Sequence, residues 1–294
     1  MTMASARAVW LALRPKHWIK NAFVLAPLVF AGRLSDPGSM ARAAAALAVF
    51  CALSSSVYLL NDVADREADR LHPKKRFRPI AAGELGVVPA VLLAALLAAG
   101  SLVSAVALSP ALAGVSALYL AQNLAYSFAL KKVVILDVML VASGFLLRAW
   151  AGAMAVGVAM SEWLVLCTGL LALFLGFVKR RQEIASVPAA TEQRPILREY
   201  SLPFLDQVIA VVTGSVVTAY ALYAFSDEVA AKLGTRHLGL TIPFVLFGIF
   251  RYLYLVHLRG EGENPTALLL SDRPLLLNVL LWAGAVGLVL YVWK

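Results

Sequence analysis

Apolar runs of about 17 to 22 residues recur along the whole of this 294-residue chain, each long enough as a helix to cross a hydrocarbon core of roughly 30 Å. Hydrophobic residues make up 61% and charged ones only 15%, against about 25% charged in a soluble domain. With a mean hydropathy of +0.81, a soluble globular fold is excluded. The expectation is an all-α, polytopic integral membrane protein.

Nine spans are read from the hydropathy pattern, at 17–33, 41–60, 87–106, 110–129, 133–155, 162–179, 207–225, 239–257 and 274–292. The first is the least regular, since Lys20 and Asn21 intrude at its start and Pro27 is placed to kink it. A short amphipathic piece, Ala4–Leu13, is expected to lie along the interface before it. A cleavable signal peptide is not expected, because Arg14, Lys16 and Lys20 interrupt the early apolar run and no small-residue cleavage site follows. The chain reads as one transmembrane domain, 1–294, with its largest polar loops at about 61–86 and 179–206. These loops follow the second and sixth spans, a placement that hints at two four-helix units plus a ninth helix, without a sequence repeat.

Orientation follows from the basic residues. Of 26 Lys and Arg, 20 fall on the side of the N-terminus and the loop at 61–86, five on the other side, and Arg148 lies inside a span. The rule that positive loops stay inside puts the N-terminus and the polar loops in the cytoplasm. The net charge of +9 is thereby accounted for without nucleic acid, and the basic loops are suited to anionic lipid or substrate phosphates. Cys51 and Cys167 both lie in spans, with no CxxC spacing, and are read as packing residues.

The most chemical stretch is Asn61-Asp62-Val63-Ala64-Asp65-Arg66-Glu67-Ala68-Asp69, followed by Lys74, Lys75, Arg76 and Arg78. If the second helix continues through it, Asp62 and Asp69, seven positions apart, differ by only about 20° around the axis, with Asp65 near the same face. Carboxylate oxygens of this kind suit Mg²⁺, which binds through a few carboxylates together with substrate phosphate oxygens. Asn61 is placed to orient a water or a carboxylate. The alternative is a solvated loop whose acids pair with Arg66, Arg70 and the following lysines, but the D-x-x-D-x-x-x-D spacing at a span end favours the metal.

Within the membrane, Asp137, Gly144 and Arg148 share one face of the fifth span. A charge at that depth is costly unless it lines a cavity. Arg148 is therefore either a phosphate ligand or half of a buried ion pair. Gln122, Asn123 and Tyr126 on the fourth span carry weaker polar signals, with helix–helix hydrogen bonding as the plainer role.

At N61-D62-x-x-D65-x-x-x-D69 and R78-P79-I80-A81-A82-G83 the chain resembles the UbiA superfamily of intramembrane prenyltransferases. The resemblance implies a UbiA-like fold, with nine helices around a central cavity, in which the acidic motif binds Mg²⁺–diphosphate. A second D-x-x-x-D motif of that family, after the sixth span, is replaced here by Lys179-Arg180-Arg181-Gln182-Glu183, with Glu192, Glu199 and Asp206 beyond it. Together with Arg14-Pro15-Lys16-His17-Trp18-Ile19-Lys20-Asn21 and H72-P73-x-K75-R76-F77-R78-P79, this is similar to the branch that includes decaprenyl-phosphate phosphoribosyltransferases. Membership implies a multi-pass plasma (inner) membrane enzyme with phosphoribosyl pyrophosphate as donor and a polyprenyl phosphate as acceptor. Asp62, Asp65 and Asp69 would hold Mg²⁺ against the leaving pyrophosphate. The lipid phosphate is already anionic near neutral pH, so no general base is required.

The resemblance further implies substrate contacts from Arg14, Lys20, Asn21, Asn61, Lys75, Arg76, Arg78, Tyr126, Arg148, Lys179 and Arg180, undivided between the two phosphates, with Glu183 on ribose hydroxyls or a second Mg²⁺. Trp18 is expected as an interfacial anchor, and His17 and His72 as interfacial loop residues. Membrane lipid is an implied partner, and a homo-oligomer is left open. Two other readings stand beside this one: prenyl transfer from a polyprenyl diphosphate to an aromatic or small acceptor, and a polyprenyl-phosphate carrier or flippase. A CDP-alcohol phosphotransferase is set aside, because the Asp-Gly start of its motif is not here.

Overall fold

The computed structural model describes residues 5–186, 195–260, 262 and 265–293. Ala4, at the head of the expected amphipathic piece, and Glu192 lie outside them. The described residues contain helices and no strand. In chain order the α-helices are α1 (Ala6–Leu13), α2 (Ala26–Phe30), α3 (Pro37–Ala64), α4 (Arg66–Leu71), α5 (Val87–Leu108), α6 (Pro110–Phe128) and α7 (Leu136–Val156). They continue with α8 (Glu162–Ser186), α9 (Leu202–Phe225), α10 (Asp227–Leu233), α11 (Ile242–Arg259), α12 (Pro265–Ser271) and α13 (Arg273–Tyr291).

Seven helical stretches among the described residues are long and apolar enough to cross a membrane: Pro37–Ala64, Val87–Leu108, Leu136–Val156, Glu162–Ala185, Leu202–Phe225, His237–Arg259 and Arg273–Tyr291. Seven rather than nine is therefore the count by length and apolarity. The expected span at 110–129 is present as the 19-residue α6, with the polar Gln122 and Asn123 inside it. The expected span at 17–33 does not form as one helix. In its place the chain runs through a 3₁₀ segment, Pro15–Leu25, into the five-residue α2.

That 3₁₀ segment follows from local chemistry. Arg14 turns left-handed (φ 55°, ψ 56°) as the cap of α1, and Pro15 then starts a new helix without an N–H to bond backwards. With three residues per turn, positions three apart eclipse. Trp18, Asn21 and Val24 thus form one row: Trp18 Nε1 donates to Ser55 Oγ (3.0 Å), Asn21 Nδ2 to Ser54 Oγ (3.1 Å), and Val24 is fully buried. Three later helices begin where a short polar cap meets a proline. Asp36 accepts from the N–H groups of Gly38 and Ser39 ahead of α3, Ser201 caps α9, and Asp272 caps α13.

The chain forms two compact units. One holds the described residues through Leu140 except Val29–Arg33, together with Gly144–Ala159; the other holds Val29–Arg33, Val141–Ser143 and the described residues from Met160 onward. In the first unit α3 packs along α5, and α5 along α6. One core cluster gathers Val24, Phe50, Leu53, Tyr119 and Leu147, and a second joins Leu59 and Ile80 to Ala90 and Ala94 of α5. Small residues on α3 and α5 let backbones approach closely, which is how helices gain contact where lipid offers no hydrophobic driving force. In the second unit α8 packs along α9, and a cluster of Ala224, Leu238, Val286, Val289 and Leu290 closes around Val29, Phe30 and Tyr223.

Among the glycines of the first unit the closest approach is between α7 and the 3₁₀ segment, where a Cβ added to Gly152 would stand 1.9 Å from the Val24 carbonyl oxygen. Gly152→Ala is expected to cost about 1–3 kcal/mol by overpacking. Gly100→Ala, with nothing within 4 Å, serves as the control and is expected to be neutral or slightly stabilising. Thermal unfolding in one detergent compares them, and equal melting temperatures would refute the close approach.

In the second unit Asp272 caps α13 through Leu275 N–H (2.9 Å) and takes Arg251 Nη2 (2.7 Å) and Nε (3.2 Å). The Arg251 hydrogen bonds hold its carboxyl below the usual carboxylate range, more than its desolvation raises it. A lowered acid stabilises the fold above about pH 4 and loses that contribution as pH falls through its own lower value. Asp272→Ala should therefore lose about 1–2 kcal/mol at pH 7, with the deficit shrinking below about pH 4. Melting curves between pH 3 and 7 measure this, and a pH-independent deficit would contradict it.

Candidate active site

The acidic motif lies where α3 stops. Asp65 leaves the helix (φ −94°, ψ 7°) while its N–H still bonds Asn61 O (2.9 Å), and α4 restarts immediately behind it. The expectation of one helix carrying three carboxylates on a single face is thus corrected: the axis breaks in the middle of the motif. Glu67 and Asp69 occupy the first turn of α4, where the helix dipole favours negative charge. Pro73, just past Leu71, prevents α4 from continuing.

The break brings Asp62 and Asp69 together by another route. Arg78 Nη1 donates to Asp62 Oδ1 (3.1 Å) and to Asp69 Oδ2 (2.6 Å), so the two carboxylates lie no more than two hydrogen-bond lengths apart. Asp62 and Asp69 are only 2% and 3% exposed. Asp62 also accepts from Arg14 Nη2, and the Arg14 guanidinium lies over the Tyr58 ring (5.2 Å to the centroid). Burial pushes the Asp69 carboxyl above the ordinary range, with the Arg78 charge and hydrogen bond pulling the other way. Asp65 points elsewhere, accepting from Lys131 Nζ (2.8 Å) in the α6–α7 connection. Asn61 Oδ1 and Asn123 O (2.7 Å) share the single hydroxyl proton of Ser127 Oγ.

Arg14 reaches Asp62 because the N-terminal stretch is fastened to α3. Ser55 Oγ donates to Leu13 O (2.8 Å) and receives Trp18 Nε1, so Trp18 is a hydrogen-bonded packing element here, with its ring edge-on to Trp10. Asn21 is fully buried: its Nδ2 donates to Phe50 O (3.3 Å) and Ser54 Oγ, and its Oδ1 accepts from Arg148 Nε (2.8 Å). Arg148 completes its shell with Gly144 O (2.7 Å), Tyr119 OH (2.7 Å) and the faces of Tyr119 and Phe145. Among the described residues it pairs with no carboxylate, so neither the ion pair nor contact with the three aspartates is present. Lys20 and Tyr126 are half-buried, and Lys75 and Arg76 are exposed in the turn Lys75–Phe77.

In the second unit the end of α8 is tied down residue by residue. Arg180, 3% exposed, donates to Glu183 Oε2 (2.5 Å), and Lys179 Nζ stands 3.8 Å from Glu183 Oε1. Arg181 Nε donates to Asp206 Oδ1 (2.5 Å), and Gln182 Nε2 to Val256 O (2.6 Å). Glu183 thus faces two basic side chains of its own helix.

Residues 22–271 match the UbiA prenyltransferase family. The chain belongs to that family. A decaprenyl-phosphate phosphoribosyltransferase of Mycolicibacterium smegmatis is 39% identical over 292 residues, covering 95% of this chain and 91% of the relative. One of Corynebacterium glutamicum is 38% identical over 287 residues, covering 96% and 86%. Among solved structures, a UbiA homolog from Archaeoglobus fulgidus bound to GPP and Mg²⁺ superposes with a TM-score of 0.74 at 18% identity, covering 97% of this chain and all of that one. The same homolog bound to DMAPP and Mg²⁺ gives 0.73. These two likenesses speak to the fold.

For a UbiA-family chain the donor set suits a hard divalent cation: the oxygens of Asp62 and Asp69 already converge on one cationic nitrogen. Asp65 is turned to Lys131, and among the described residues no three acids gather around one point. Sequence reasoning missed Lys131 and Ser127 as neighbours of the motif. Their available signal was modest: a Lys131–Lys132 pair closing the polar end of α6.

Arg78 donates to both Asp69 and Asp62, and Arg14 shares Asp62 with it. Arg78→Ala should cost about 3–5 kcal/mol, because it leaves buried charge uncompensated. The double variant Arg78→Ala/Asp69→Asn should recover a large part of this. Unfolding of both variants checks the coupling, and additive losses would refute the shared contact.

Proposed function

We propose that this protein transfers a 5-phosphoribosyl group from phosphoribosyl pyrophosphate to a polyprenyl phosphate of the decaprenyl type, releasing pyrophosphate. The supporting observation is the 38–39% identity, over nearly the full chain, to UbiA-family relatives named for that activity. It agrees with the replacement of the second acidic motif by Lys179–Glu183. The distribution of basic loops supports a multi-pass placement with the acidic motif on the cytoplasmic side, where a water-soluble donor is met.

Asp62 and Asp69, with Asn61 and Asp65 beside them, would hold Mg²⁺, which when bound supplies charge neutralisation at the diphosphate. The chain's own residues do the rest. Arg14 and Arg78 come to the site already oriented by the carboxylates and can turn their remaining N–H donors to phosphate oxygens. Lys131 brings a further charge from the α6–α7 connection. A lipid phosphate oxygen attacks ribose C1, the new C1–O bond forms, and the bond to pyrophosphate breaks with its electron pair leaving on the diphosphate oxygen. The nucleophile carries its negative charge beforehand, so no side chain is needed as base.

The test is incubation of purified protein with labelled phosphoribosyl pyrophosphate and polyprenyl phosphate, with and without Mg²⁺. Label is expected in the lipid extract only with Mg²⁺. Asp62→Asn and Asp69→Asn should each lower turnover by about 10²-fold or more while remaining folded. In parallel, Mg²⁺ should raise the melting temperature of the wild type and not of the double Asn variant. Consumption of a polyprenyl diphosphate in place of the ribosyl donor would convert the reading to prenyl transfer, and lipid movement without pyrophosphate release would make it a carrier.

A further inference from the structure

The loop after α4 combines two features that the reaction described above leaves unexplained. Leu71 and Phe77 are 86% and 70% exposed although the first adjoins and the second lies within the basic stretch His72–Arg78. The turn between them is held by its own bonds: His72 Nδ1 accepts from the N–H groups of Lys74 (3.1 Å) and Lys75 (3.3 Å), and Arg76 N–H donates to His72 O (3.2 Å). The exposure is thus a property of a built turn.

The basic side chains around it are not equivalent. Arg14 and Arg78 are engaged by the buried aspartates, Lys131 by Asp65, and Arg70 by Glu67 and Ala81 O. Arg76 is different. Among the described residues its guanidinium has only the Phe77 ring as a side-chain partner, at 4.8 Å. A cation lying on an exposed aromatic ring presents an anionic group with charge and an apolar tail with a face, side by side. The end of α6 and the α6–α7 connection also expose apolar side chains, Phe128, Val133 and Ile135, but Lys131 there is taken.

From this we infer that Arg76, Phe77 and Leu71 form the docking element for the lipid acceptor: Arg76 binds its phosphate, and Phe77 with Leu71 receives the first isoprene units. The assignment rests on the reading under Proposed function and divides the phosphates that reading leaves undivided. Arg78 follows Phe77 directly and holds both Asp62 and Asp69, so a phosphate on Arg76 is delivered at the margin of the acid pair. An aqueous ribosyl donor has no use for an exposed Phe and Leu.

The experiment uses the full chain in phosphatidylcholine nanodiscs, with labelled polyprenyl phosphate, and reads saturable lipid binding together with KM for lipid and for phosphoribosyl pyrophosphate. Phe77→Ala and Arg76→Gln should each raise Kd and KM for the lipid about tenfold, the scale of one well-placed contact, with the donor KM within about twofold of wild type. Phe77→Leu should restore lipid binding. Unchanged lipid binding in both variants, or an equal rise in the donor KM, overturns the assignment. So does activity that follows the anionic phospholipid content of the disc while acceptor binding stays constant, which would make the turn a bilayer contact. Wild-type binding of polyprenyl phosphate without transfer from the ribosyl donor defeats the proposed reaction instead, and leaves the docking element to be judged on binding alone.

Discussion

Two buried carboxylates sharing one guanidinium organise the first unit. Asp62 and Asp69 are nearly sealed from solvent, and unpaired they would repel each other while each bore the cost of desolvation. Arg78 answers both at once through a single nitrogen. This contact ties the end of α3, the short α4 and the loop leading to α5 into one corner. It also explains how α4 can depart from the α3 axis at Asp65 and still keep the motif's outer acids together.

Everything else at the site is brought to that corner. Arg14 arrives because a 3₁₀ segment with three residues per turn lays Trp18, Asn21 and Val24 in one row against α3 and α7. Deeper in the unit, Arg148 is held by neutral oxygens and two aromatic rings, so its charge is spread over dipoles and π-faces and, among the described residues, is not matched by an acid. Its link to Asn21, and Asn21's links to Phe50 O and Ser54, form a polar chain through an apolar interior. An interior of that kind is tolerated only where its donors find acceptors, and here the arginine's three nitrogens each do.

Hydropathy alone located the long helices, because a membrane imposes a length that a run of apolar residues either meets or does not. The spans read at 87–106, 133–155 and 274–292 correspond to α5, α7 and α13 within a few residues, and that at 162–179 to α8, which runs seven residues further. It failed at 17–33, where local chemistry outranked the average: Arg14 turns left-handed, Pro15 restarts the chain, and the polar Asn21 faces inward to a partner that no window can see. The motif's residue types were equally legible. Asn61, Asp62, Asp65, Asp69 and Arg78 were all singled out, and Arg14 with them.

The sequence by itself determined the class of protein, its family and the oxygen-rich chemistry of its motif, since these depend on residue type and short spacing. Tertiary structure decided who meets whom. That Asp65 turns to Lys131, that Arg78 and not a helical face unites Asp62 with Asp69, and that Arg180 and Glu183 satisfy each other are pairings of charge. Most of them join residues on separate elements. Their partners are chosen by where the helix breaks and by which burial leaves a charge most in need of one, and neither is written in spacing.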